Sequence, residues 1–145
     1  MDIVCLLEPY SNNELQRLVK TPKLYFCDTG LCAFLTRWLT PDSLREGAAS
    51  GHFYENYVIM ELVQNYAYAR NSAILSFYRD DKAKEIDVFI EENGKIHPLE
   101  IKKSANPEKK KSENFLSSKK LRCFRETAEL YVCFHGRFRL TKPIT

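Results

Sequence analysis

Apolar and polar residues alternate most cleanly over residues 85–103, EIDVFIEENGKIHPLEIKK. Alternation with a period of two predicts strands, and Asn93-Gly94 between the two apolar runs predicts a tight type I′ turn, because both residues tolerate positive φ. With Asn93 and Gly94 as the central turn residues, Glu92 faces Lys95. The same register places Asp87 opposite Glu100 and Glu85 opposite Lys102. Ile86, Val88 and Ile90 then point one way with Leu99 and Ile101, while Asp87, Glu100 and Lys102 point the other. Lys103 has the wrong parity for that row.

The remaining pattern predicts a helix over residues 51–70, on which Glu55, Val58, Ile59 and Leu62 share one face. The tyrosines of this helix, Tyr54, Tyr57, Tyr66 and Tyr68, read as packing groups at a helix–sheet interface rather than base-stacking ones. Strands are predicted at residues 1–7, 23–26, 73–79 and 130–134; the last is continuously apolar, as for a strand covered on both faces. Asp28 or Thr29 caps a helix over 31–39, and Thr40-Pro41-Asp42 ends it in a loop. Residues 14–19 and the stretches 108–116 and up to 126 read as further helices, with Pro107 in a first turn. A helical crossover before 130–134 predicts that this strand joins the sheet in parallel. The fold class is therefore α/β, a mixed central sheet with flanking helices. Residues 1–49 form a small helical and extended subdomain, 50–136 the core, and 137–145 a tail, either a short edge segment or disordered.

Composition adds little to this picture. At 145 residues, 44% hydrophobic and 28% charged, the chain is of ordinary single-domain size and make-up. The net charge of +3 permits nucleic-acid binding without arguing for it. Its distribution is more informative. Between Lys102 and Arg125 nine Lys or Arg face only Glu108 and Glu113. Such a run, with Lys103, Lys109, Lys110 and Lys111 at its start, is either a solvated helix face or a surface that tracks phosphates. Five cysteines without a C-x-x-C pair and three scattered histidines argue against zinc and for a reducing compartment. No signal peptide or apolar twenty-residue run is present, which predicts a cytoplasmic chain with no membrane partner.

Two carboxylates facing each other across a hairpin repel unless compensated, and a divalent cation with a nearby ammonium would do so. A solvated outer face with mixed charges is the competing account. Glu55 likewise either joins such a site from the sheet-facing stripe or lies at its border, reaching water or a lysine. Arg79 reads as a partner of Asp80 or Asp81 rather than of phosphate.

Asp87, a turn, then Glu100-Ile101-Lys102 resembles the bipartite signature of the PD-(D/E)xK nuclease-like superfamily. The phrase Thr21-Pro22-Lys23-Leu24-Tyr25-Phe26-Cys27-Asp28-Thr29-Gly30-Leu31 is similar to a TPKxYFxDxGL segment of a domain of unknown function (4143) found at the C-terminus of bacterial and archaeal AAA-type ATPases. The resemblance continues through Gly51, Glu55, Val58, Glu61 and Leu62 of a GxxxExxVxxEL helix, an FYR strand, EIDVFI and LEIK. It implies a restriction-endonuclease-like core normally fused behind an ATPase module. This chain holds no GxxxxGK[ST] sequence, so it is expected to be a truncated or excised member. The resemblance also implies Mg²⁺ or Mn²⁺ held by Asp87, Glu100 and Glu55, with the Ile101 carbonyl as a further ligand and Lys102 as the catalytic cation. Lys103, Lys109, Lys110 and Lys111 would hold a nucleic-acid backbone. The expected function is metal-dependent phosphodiester hydrolysis. The alternatives are a non-catalytic docking or regulatory domain of the ATPase, in which Lys102 pairs with Glu85 or Glu100, and a nucleic-acid-binding module without cleavage. DNA or RNA, strandedness and oligomeric state stay open.

Overall fold

A computed structural model describes residues 2–10, 21–70, 72–80 and 85–103, together with the backbone of 131–134 and 137–140. The predicted helices at 14–19 and 108–126, and Lys109, Lys110 and Lys111, lie outside the described residues.

Strands β1 (Val4–Leu7) and β2 (Lys23–Phe26) form a small antiparallel sheet, with Cys5 opposite Tyr25. Helix α1 (Thr29–Leu35) follows, and Asp28 caps it by accepting a hydrogen bond from the Leu31 amide at 3.0 Å. It ends in a Schellman motif: Arg37 takes a left-handed φ of 63°, its amide donates to the Phe34 carbonyl, and the Trp38 amide donates to the Ala33 carbonyl. The helix is thus shorter than the expected 31–39.

Thr40-Pro41-Asp42 starts helix α2 (Pro41–Glu46), where the sequence reading expected a loop. Thr40 and Ser43 form a reciprocal capping box and Pro41 occupies the first turn, where its missing N–H costs nothing. Helix α3 (Ser50–Tyr68) is the long one. Val58 and Ile59 are buried and Leu62 packs against the core, as the stripe requires. Tyr54 packs there too, but Tyr57 and Tyr68 lie on the opposite, exposed face, because residues eleven apart return to the same side of a 3.6-residue helix.

The main sheet has five strands in sequential order: β3 (Ile74–Arg79), β4 (Glu85–Glu92), β5 (Lys95–Ile101), β6 (Tyr131–Phe134) and β7 (Arg137–Leu140). It is mixed. The β5–β6 pairing is parallel, as the crossover argument expected, and all others are antiparallel. Residues 137–140 form the edge strand. The β4–β5 turn is as predicted, with Asn93 at φ 52° and Gly94 at φ 72°, and Glu92 faces Lys95.

One irregularity matters for everything that follows. Along β3 and β4, Ser76 faces Phe89 but Tyr78 faces Ile86. Asp87 and Val88 therefore stand together against the single residue Phe77, which is a β-bulge in β4. A bulge reverses side-chain parity, so the expected grouping of Ile86 with Val88 and Ile90 is corrected. Ile86 packs with Phe89 and Ile96 in one cluster, whereas Val88 and Ile90 belong with Leu99, Ile101, Val58 and Ile59 in the other. On the far edge of β3 the N-terminal segment closes over the same residue: the Phe77 amide donates to the Glu8 carbonyl at 3.0 Å and the Tyr10 amide to the Phe77 carbonyl at 2.6 Å.

Candidate active site

The bulge and the end of a ladder together deliver Asp87. The β4–β5 pairing runs from Glu92↔Lys95 only as far as Val88↔Leu99. Beyond that pair β4 and β5 are no longer register partners. The Asp87 carboxylate fills the gap, its Oδ2 accepting from the Ile101 amide at 2.7 Å. A buried amide that loses its strand partner must find another acceptor, and Asp87 is the residue the bulge re-aims to supply it.

Next to it, Lys102 Nζ lies 2.5 Å from Glu100 Oε1. Asp87 lies within the field of Glu100 and Lys102, but the expected facing pairs Asp87–Glu100 and Glu85–Lys102 are not among the β4–β5 partners. Burial, and after it the negative charges of Glu100 and Glu55, push the Asp87 carboxyl up to about 7, against the opposing pull of the Ile101 amide and Lys102. Burial alone would lower the Lys102 ammonium. The hydrogen bond and charge of Glu100, with the charges of Asp87 and Glu55, outweigh it and raise the value above the ordinary lysine range. Lys102 is thus firmly protonated.

Glu55 reaches the cluster from α3, yet its partners come from β2. Tyr25 donates its hydroxyl proton to Glu55 Oε1 at 2.7 Å, and Lys23 Nζ lies 3.2 Å from the same oxygen. Lys23 also pairs with Glu85 Oε1, and Arg79 Nε lies 2.7 Å from Glu85 Oε2. Glu85, expected opposite Lys102, is instead bound to Arg79, because the two face each other across the β3–β4 ladder. Burial raises Glu85, but Lys23 and Arg79 outweigh it and hold the carboxyl below its usual value. Burial and the Glu55 carboxylate raise the Tyr25 hydroxyl, so it stays a donor. Nearby, Asn56 acts as a surrogate strand edge. Its Oδ1 accepts from the Phe26 amide at 2.8 Å, and its Nδ2 donates to the Phe26 carbonyl and Thr29 Oγ1, each at 2.9 Å.

Lys23, Tyr25 and Asn56 were not singled out in the sequence. The alternation of KLYF puts Lys23 and Tyr25 on one face of β2, but nothing local tells that face what it meets. Lys103 donates to the Arg45 carbonyl of α2, so among its described contacts it braces a helix end.

Among the described residues no three His, Cys, Asp or Glu side chains are arranged to hold a metal ion. The donor chemistry of Asp87 and Glu100 suits a hard divalent cation, and two like-charged, partly buried carboxylates side by side fit one. Glu55 does not join them here, because Tyr25 and Lys23 hold its oxygen.

The class defined by fold and site is a mixed α/β domain carrying a carboxylate–lysine cluster at the splayed end of a hairpin. The chain belongs to the family described as domain of unknown function DUF4143, whose family model matches residues 50–142. Residues 1–42 match a second domain of unknown function, DUF8612. No curated protein and no solved structure matches the chain. The Lys23 and Tyr25 contacts to Glu55 and Glu85 therefore join the two matched segments. No helix among the described residues is long and apolar enough to cross a membrane.

Proposed function

We propose that this chain carries a restriction-endonuclease-like, PD-(D/E)xK site that hydrolyses phosphodiesters of nucleic acid with Mg²⁺ or Mn²⁺, in a domain normally fused behind an AAA-type ATPase. The observation that carries this reading is the convergence of Asp87, Glu100 and Lys102 where the β4–β5 ladder gives out. A structural hairpin has no need to bury an aspartate beside a glutamate at the cost its raised carboxyl records.

Asp87 and Glu100 would hold the cation, with Glu55 available to it once Lys23 and Tyr25 let go. Bound there, a divalent ion supplies charge neutralisation on the phosphoryl oxygens and an acidified water. The chain's own contribution is more definite. Lys102, held protonated, suits stabilising charge on the pentavalent transition state and not removing a proton. The Ile101 amide fixes one Asp87 oxygen and so orients the carboxylate.

A second reading, a non-catalytic docking domain of the ATPase, is favoured by one observation: Lys102 already neutralises Glu100, and Lys23 already neutralises Glu55. Cleavage of plasmid, single-stranded DNA and RNA with Mn²⁺ or Mg²⁺ separates the two. The nuclease reading expects cleavage that needs the metal and disappears in both Asp87→Ala and Lys102→Ala. Folded Asp87→Ala protein with undiminished metal affinity overturns it.

A further inference from the structure

A cavity of about 570 Å³ opens between β2, α1 and α3, within the ~300–1,000 Å³ range of small-ligand sites. It lies at the joint of the two family-matched segments. Lys23 and Trp38 come from residues 1–42, and Phe53, Glu55, Arg79 and Glu85 from residues 50–142. Trp38 and Phe53 give the wall aromatic surface. The tryptophan, the only one in the chain, is held there. Its amide donates to the Ala33 carbonyl, Phe53 meets its ring edge-on with centroids 6.2 Å apart, and its benzo ring fills the space that a Cβ on Gly47 would need.

The rest of the wall is charged. Lys23 and Arg79 are balanced by Glu55 and Glu85, and the exposed His52 is a further polar group. The four charges sum to zero, so they favour neither an anion nor a cation. They do offer a donor beside an acceptor. A lysine ammonium has three N–H donors; Glu55 and Glu85 take two of those on Lys23, and the Phe77 ring, 5.4 Å from Nζ, is beyond hydrogen-bond reach. Tyr25 and Lys23 both bind Glu55 through Oε1, so among the described residues no hydrogen bond reaches Oε2.

We propose that this cavity binds a free aromatic α-amino acid as its zwitterion. The carboxylate accepts the third N–H of Lys23, the ammonium donates to Glu55 Oε2, and the ring lies against Trp38 and Phe53. Lys23 Nζ is 3.2 Å from Glu55 Oε1, a spacing that suits two charged groups carried on one carbon. Phe53 and Glu55 are two positions apart on α3, less than one helical turn, so a single amino acid reaches both kinds of wall. A ligand with one charge would leave that charge over among groups already paired; a zwitterion brings both signs. The inference does not rest on the nuclease reading. Because the ligand touches both matched segments, it stabilises their joint.

The test uses the whole chain in chelator, with L-phenylalanine as the probe. Trp38 is excited at its red edge, where neither tyrosine nor the probe absorbs, and thermal unfolding is followed in parallel. L-phenylalanine is expected to change Trp38 emission saturably and to raise Tm with concentration. Hydrocinnamate lacks the ammonium, phenethylamine lacks the carboxylate and L-alanine lacks the ring; each is expected to bind roughly tenfold more weakly or worse. These comparisons are made on the parent chain and need no variant to fold. Glu55→Gln is expected to weaken L-phenylalanine binding by about the same factor, while hydrocinnamate, with no ammonium to lose a partner, binds at least as well as before. No response to L-phenylalanine, an equal response to any of the three analogues, or undiminished L-phenylalanine binding by folded Glu55→Gln overturns the proposal.

Discussion

Asp87→Asn offers the sharpest test, because it removes a charge while keeping an oxygen for the Ile101 amide. The Asp87 carboxyl is pushed from its ordinary 3.8 to about 7. In the folded chain it therefore binds its proton more tightly than in the unfolded chain. The sign follows: the protonated group's contribution to stability is complete below about pH 4 and is lost as pH rises toward about 7. At ~1.4 kcal/mol per pH unit the loss is at most ~4 kcal/mol, and relaxation of Glu100 and Lys102 around it reduces that to ~2–4 kcal/mol. Asp87→Asn never acquires the charge. In chelator, its urea midpoint should lie well above that of the parent at about pH 8 and close to it at about pH 4, with an unchanged m-value. Mn²⁺ should then close most of the gap at high pH. A cation present at a hundred times its Kd stabilises the parent by ~2.7 kcal/mol and leaves the Asn variant nearly unmoved. A pH-independent offset, or an Asn variant less stable than the parent at high pH, refutes the claim that Asp87 is held against its own charge.

Further outcomes are open to direct measurement. Asn56→Ala removes three hydrogen bonds from a buried site and leaves the Phe26 backbone unpaired; a loss of about 2–4 kcal/mol in chemical denaturation is expected. Arg37→Gly relieves a left-handed residue at the end of α1, and should stabilise the chain by about 0.5–1 kcal/mol; a fall in Tm speaks against it. Tyr25→Phe deletes the hydroxyl donor to a partly exposed Glu55. Calorimetry should find tighter Mn²⁺ binding with a stability loss of about 1 kcal/mol; unchanged metal affinity means that Glu55 has no part in the cation site.

The hairpin was legible because its signals are local. Asn93-Gly94 dictates the turn, and the turn dictates the register out to Val88 and Leu99. The α3 stripe followed from periodicity and the parallel β5–β6 pairing from the expected helical crossover. Helix α2 was missed although its capping box was written in Thr40 and Ser43, since a proline after a helix reads first as a stop. The β4 bulge was not legible at all. Its residues, Asp87 and Val88, continue the alternation without a break, and only the β3 partner shows that two of them share one position.

The division follows the range of the forces. Backbone preferences and side-chain periodicity act over a few residues, so local sequence was enough for the hairpin turn and the long helix. Which carboxylate meets which cation depends on strands brought together from distant parts of the chain. Lys23 and Tyr25 on Glu55, Arg79 and Lys23 on Glu85, and the Ile101 amide on Asp87 were decided only in the tertiary structure. Electrostatic partners are selected by proximity in space, and the bulge that sets that proximity has no counterpart in the local pattern.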